Sequence, residues 1–293
     1  MKERTATFFV ILSGVLWGCI SLFINPLSEM GLNALNISGV RMVIAAPVFF
    51  AAAAIARKLH FKLRDIWLFA AMGIVSVVLF NCLYFYTMIG SSVSVAVVLL
   101  YTSPVFVTLM SALFFKEKIT GVKVAALALA VAGCVLITGV LGGEPLPFKM
   151  LVTGLLSGFF YALYTIFGRV ALSKYHTLTV TAWTFVFALL ASVPVSGFPK
   201  VFALVSVNLK AALLCVGISI FCTVLPYFFY TKGLEGTSPS KAAILVAVEP
   251  LCGAFIGIFV FSESAGALKL LGMALIISAI ILLNLKPRAV DKK

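Results

Sequence analysis

Between Val93 and Phe115 the sequence runs 23 residues without a charged side chain. A helix rises about 1.5 Å per residue, so such a run covers the roughly 30 Å hydrocarbon core of a bilayer. Ten apolar runs follow one another along the chain, at 6–27, 33–56, 66–88, 93–115, 119–141, 149–171, 178–197, 209–231, 239–261 and 266–285. Their continuity favours helices over barrel strands, which alternate lipid-facing and lumen-facing residues over about ten positions. With 63% hydrophobic and 11% charged residues, the 293-residue chain could not keep its apolar surface out of water in a soluble fold. The expected fold class is all-α integral membrane, with ten transmembrane helices joined by short loops. Any functional residue must then sit inside the bundle. The basic start, Lys2 to Arg4, precedes an apolar run too long for a leader peptide and is expected to open the first span.

The formal charge of +13 would suggest a polyanion partner in a soluble protein. Here its distribution carries the information. Seventeen Lys and Arg fall on the side of the N-terminus, against four (Lys149, Lys200, Lys210 and Lys269) on the other, with Arg41 inside a span. The positive-inside rule then puts both termini in the cytoplasm of a cell (inner) membrane, and no nucleic-acid partner is expected. All six cysteines lie in spans without Cys-x-x-Cys spacing, and His60 and His176 are far apart, so neither a metal nor another cofactor is expected.

Sliding the chain against itself by 146 residues aligns 84–137 with 230–283 without a gap and gives 13 identities. Gly90 to Ala96 lies over Gly236 to Ala242, Pro104 over Pro250, and Phe115 and Glu117 over Phe261 and Glu263. At an offset of 140, Gly14 and Gly18 lie over Gly154 and Gly158, so the first and sixth spans share a GxxxG, the spacing that lets helix backbones approach closely in lipid. Five spans per unit make the second unit enter the membrane from the opposite side, and inverted repeats of this sort place a binding site near the midplane. The expected units are 1–143 and 144–293, joined through the Gly- and Pro-rich stretch 139–147.

Taken together, Trp17-Gly18, Arg41, Pro104, Glu117 before Ile119-Thr120, and the echo at Pro250 and Glu263 resemble the drug/metabolite transporter superfamily, specifically its ten-helix EamA-type family. The resemblance implies a secondary transporter, commonly an exporter of amino acids or other metabolites, with cytoplasmic termini and a central cavity. The halves depart from one another at three positions: Thr184 stands where the first has Arg41, and Ser262 and Ser264 where it has Lys116 and Lys118.

Glu249 alone among nine acidic residues lies deep in a span. A charge there costs roughly 2.5–3.5 kcal/mol on insertion scales, so it is read as binding a substrate amine or a proton, or else as bonding to a neighbouring helix. Pro104 and Pro250 remove backbone donors at mid-span and are expected to free the carbonyls of Leu100 and Val246. They read as kinks, hinges or cavity walls. Arg41 is expected to snorkel outward or to form a structural ion pair, with contact to a substrate carboxylate as the other reading. Trp17, Tyr101, Tyr161 and Tyr164 lie deep enough to border a midplane cavity. Tyr84, Tyr86, Tyr227 and Tyr230 lie near span ends, where interfacial anchors sit. Asn81, Ser103 and Tyr227 complete the candidate substrate-binding set.

These residues point to a transporter moving a small solute, an amino acid or an amphipathic or aromatic metabolite, by alternating access, with proton coupling through Glu249 as the expected link. The other readings are an intramembrane enzyme, for which HExxH, paired aspartates and Gly-x-Ser-x-Gly are all missing, and a channel-like protein. No Walker A sequence is present to couple transport directly to ATP.

Overall fold

The computed structural model describes residues 1–140 and 146–285 and shows helices without a strand among them. In chain order the α-helices are α1 (Glu3–Gly18), α2 (Ser21–Glu29), α3 (Ala34–Ile55), α4 (Ile66–Ala70), α5 (Phe80–Gly90), α6 (Val93–Leu100), α7 (Ser103–Phe115), α8 (Gly121–Thr138), α9 (Phe148–Leu172), α10 (Thr177–Ser192), α11 (Phe198–Val207), α12 (Leu209–Ser219), α13 (Leu225–Leu234), α14 (Pro239–Leu245), α15 (Val248–Phe259) and α16 (Ala267–Asn284). Two π-helical stretches, Ala71–Leu79 and Ile220–Val224, join α4 to α5 and α12 to α13. The expected unit boundary at 143/144, part of the 139–147 connector, Glu144, Asp291, Lys286, Arg288, Lys292 and Lys293 lie outside the described residues.

Nine helical runs among the described residues are long and apolar enough to cross a membrane. The run expected at 178–197 is shorter. α10 stops at Ser192 after 16 residues because Pro194 cannot continue it, and Gly197, in the left-handed region at φ 54°, turns the chain into α11. Local sequence sets the starts. Asn33 and Asn36 form a reciprocal capping box on α3, Ser92 and Asn208 accept from the third residue of α6 and α12, and the His176 Nδ1 accepts from Leu178 N at 3.1 Å.

Three spans are broken in the middle. Expected breaks occur just before the prolines, at Tyr101–Thr102 between α6 and α7 and at Val246–Ala247 between α14 and α15. One expectation is corrected: the Val246 carbonyl is not left free, because a tight turn brings it the Glu249 N–H at 2.8 Å. The third break, at Cys19–Ile20 between α1 and α2, has no proline and was not expected.

Both GxxxG faces sit on these breaks. α1 packs against α15 and α14, and α9 against α6 and α7. A Cβ added at Gly158 would stand 2.9 Å from Leu99 O and 3.2 Å from Leu100 O, and one at Gly154 would strike the Leu99 side chain. On the other side, a Cβ at Gly18 would stand 2.7 Å from Glu249 O and one at Gly14 3.3 Å from Val246 O. Glycine is required in these seams because broken-helix carbonyls, with no water in lipid to solvate them, occupy the space of a side chain.

Gly158→Ala should therefore destabilise the bundle by about 1–3 kcal/mol, the usual cost of overpacking. Gly121→Ala, where nothing lies within 4 Å, should not. Thermal melts of the detergent-solubilised proteins compare the two, and equal melting temperatures would contradict the seam.

Candidate substrate cavity

The breaks and π stretches converge on one polar cavity of about 140 Å³ in the middle of the bundle. It is well below the roughly 300–1,000 Å³ of drug-sized pockets and suits a small solute. Trp17, Asn81, Tyr101, Tyr161, Tyr227 and Glu249, six residues singled out in the sequence, line it together. Arg41 is a seventh lining residue.

Each side chain is placed by a local feature. Tyr101 caps the end of α6 at the break, and Glu249 is the second residue of α15, just past the other break. Tyr101 and Glu249 thus line the same cavity from the two broken spans. Asn81 follows the π stretch and donates to Val77 O at 2.6 Å. Trp17 stands edge-on to Tyr227 with centroids 5.2 Å apart, a geometry that fixes both rings.

Arg41 is held by structural hydrogen bonds rather than by snorkelling or an ion pair. It is 8% exposed, does not snorkel, and among the described residues has no carboxylate within 4.0 Å. It crosses to the second π stretch, where Nε donates to Thr223 Oγ1 at 2.7 Å and Nη2 to Cys222 O at 3.0 Å. Those bonds use two of the five N–H donors of a guanidinium, and the rest are borne by a group on the cavity wall. π stretches of this kind recur at functional sites.

Ser103 does not reach this cavity. It lines a separate void of about 10 Å³ with Pro104, Thr165 and Tyr230, walled from the main cavity by Tyr101 and Tyr161. Tyr164 also lies behind the wall, edge-on to Tyr227 at 5.2 Å, with its hydroxyl shared with Thr231 at 2.9 Å. Pro250 is next to Glu249 but lines neither space. Tyr227 and Tyr230, 4% and 5% exposed, are interior residues rather than interfacial anchors, and Tyr84 joins the cavity wall.

Further wall residues were missed by sequence reasoning: Ile20, Ile24, Phe80, Tyr84, Phe85 and Leu100. Helical spacing carried the signal. Asn81, Tyr84 and Phe85 stand at i, i+3 and i+4 and share one face. A larger crevice of about 430 Å³ between α3, α11 and α12 is lined only by apolar side chains and offers nothing to orient a polar solute. No cluster of His, Cys, Asp and Glu among the described residues could hold a metal ion.

The sequence pattern of the EamA-like transporter family matches the chain twice, at residues 4–139 and 148–285. An uncharacterized transporter of Archaeoglobus fulgidus is 26% identical over 93% of this chain and 94% of its own length. The uncharacterized transporter YwfM of Bacillus subtilis is 22% identical, covering 98% and 96%, and the uncharacterized inner membrane transporter YicL of Salmonella typhimurium 24% identical, covering 98% and 97%. A crystal structure described only as that of a protein has the same fold, with a TM-score of 0.83 at 17% identity over all of both chains. The three named relatives are called transporters, and a multi-pass helical bundle with a mid-bundle polar cavity fits that class. The chain belongs to the EamA-like transporter family.

Proposed function

We propose that the protein exports a small dipolar metabolite, an amino acid or a similar amphipathic solute, by alternating access across the cell (inner) membrane. The observation that carries this reading is a carboxylate, Glu249, and a guanidinium, Arg41, on the walls of one small aromatic cavity. An ammonium seeks the carboxylate and the aromatic faces, and a carboxylate seeks the guanidinium. A proton competing with substrate for Glu249 would link loading to proton movement, with no ATP step.

In this reading the bundle is ten spans in two inverted halves, 1–143 and 144–293, with α10 as the short seventh span and both termini cytoplasmic. Support comes from paired features: the two glycine faces on two broken spans, the two π stretches, and the double family match. The 17-to-4 charge asymmetry supports the orientation.

Glu249→Gln keeps size and hydrogen bonding but removes the titration. It should insert and fold, yet lose the pH dependence of flux into proteoliposomes or fail to transport. Flux with an unchanged rate and pH profile would make Glu249 structural. Arg41→Lys should cut flux about ten- to hundredfold, because an ammonium cannot reproduce the fork that bonds Thr223 and Cys222 while facing the cavity. In a cysteine-free background, His60→Cys should react with an impermeant maleimide only after the cells are opened, and Gly143→Cys in intact cells. The reverse pattern would invert the topology.

A further inference from the structure

Two corners of the bundle follow one pattern, at the ends of α7 and α15. In each, a residue in the left-handed region turns the chain, Lys116 at φ 54° and Ser262 at φ 55°. A glutamate follows whose backbone N–H reaches back six residues, Glu117 to Ser111 O at 3.2 Å and Glu263 to Gly257 O at 2.9 Å. Its carboxylate pairs with the lysine six residues on, Lys123 at 2.5 Å and Lys269 at 2.6 Å. The 146-residue offset superimposes every member.

The corners differ in what else the carboxylate holds. Glu117 takes the Ser240 hydroxyl, and the Ser240 N–H at 3.4 Å, at the start of α14. Burial works to raise its pKa, but hydrogen bonds from Lys123, Ser238 and Ser240 outweigh that and hold it below the usual carboxylate range. The Glu117 side chain is 13% exposed. That of Glu263 is 55% exposed, and among the described residues its carboxylate bonds only to Lys269.

The same offset carries Ser238 and Ser240 onto Ser92 and Ser94 at the start of α6, so the second corner has a matching receiver that it does not touch. The packing agrees. α14 is packed against α7 beside Glu117, whereas no comparable contact joins α6 to α15 among the described residues. The cavity leans to that looser side: its lining residues Tyr84 and Phe85 stand past the middle of the Leu63–Gly90 span and Leu100 and Tyr101 before the middle of the Val93–Phe115 span, both toward Ser92. Behind the cavity wall, the packed rings of Trp17, Tyr227 and Tyr230 leave only the 10 Å³ void lined by Ser103, Pro104 and Tyr230.

We propose that Glu117 and Glu263 are alternating clamps, so that Glu263 seizes Ser92 and Ser94 when Glu117 releases Ser240. The structure is then the state closed at Glu117 and open at Glu263, and the clamps decide which side of the cavity is sealed. The inference rests on the transporter reading only in taking these two states as the ends of the transport cycle.

Val93, between the two receiving serines and 60% exposed, is the reporter. In cysteine-free protein in nanodiscs, Val93→Cys should react readily with a maleimide. Glu117→Gln should slow that labelling about tenfold or more, the shift expected for loss of one charge-assisted hydrogen bond, because the population moves to the Glu263-clamped state. Adding Glu263→Gln should restore the rate. Should Glu117→Gln fail to fold, Ser240→Ala breaks the same clamp and should slow labelling likewise. Unchanged labelling in the folded clamp-breaking variant, or no restoration by Glu263→Gln, would overturn the clamps. Labelling that behaves as expected in a protein that moves no solute would uphold the clamps and defeat the transport reading instead.

Discussion

At membrane depth no water solvates a backbone carbonyl, and three spans of this bundle are nonetheless interrupted there. In two of them the broken turn supplies donors of its own, the Thr102 hydroxyl to Leu99 O and the Glu249 N–H to Val246 O, and a glycine face from another helix is laid against it: Gly154 and Gly158 on Leu99 and Leu100, Gly14 and Gly18 on Val246 and Glu249. Contact this close between backbones excludes lipid and gains dispersion energy where no hydrophobic driving force separates protein from lipid. The breaks in turn make the cavity. Tyr101 and Glu249 reach it because each stands at or just past an interruption, where the chain leaves the regular helical path.

The scaffold is paired but its charge is one-sided. Glu249 has Ser103 as its counterpart, and Ser103 sits in the small void rather than in the cavity. Arg41 has Thr184, which is fully buried and whose hydroxyl donates to the Met72 sulfur at 3.7 Å. Both ionisable groups therefore fall on one wall system. A site with an acid and a base of fixed position discriminates by the dipole of its ligand, and the aromatic rings between them favour an apolar body.

Hydropathy made the spans legible because a bilayer imposes one length on all of them, and internal self-alignment exposed the glycine faces and the mid-span prolines. Hydropathy also misled. Apolar text does not separate lipid-facing from bundle-facing residues, since lipid and core are equally apolar. Distance from the span end reads Tyr230 as an anchor and leaves Tyr227 between anchor and cavity lining, whereas both are interior past the π stretch before α13. Depth alone put Tyr164 on the cavity wall, but Tyr227 stands in front of it. The Arg41 partners lie some 180 residues away in sequence, on a π stretch that no propensity marks. The break at Cys19 and the short helix α11 left no signal stronger than Gly18 and Pro194.

The distribution of strong and weak contacts separates what holds still from what is free to move. α8 lies along α16 with Gly133 and Gly272 face to face, and α3 lies along α10. The loop before α4 is tied to the loop before α10 by Asp65, which accepts from Lys174 at 2.8 Å and Tyr175 at 2.6 Å, and Trp183 Nε1 donates to Leu59 O at 2.8 Å. These seams are dense and redundant. The interrupted pairs α6–α7 and α14–α15 are different, because a broken span lets its two halves tilt independently about the gap. Such an element needs a latch at its end rather than a seam along its length. A single carboxylate that grips a serine at the start of the neighbouring span is strong enough to select a state and weak enough to be released by a small ligand, whose differential affinity sets the limit on how far it shifts the equilibrium.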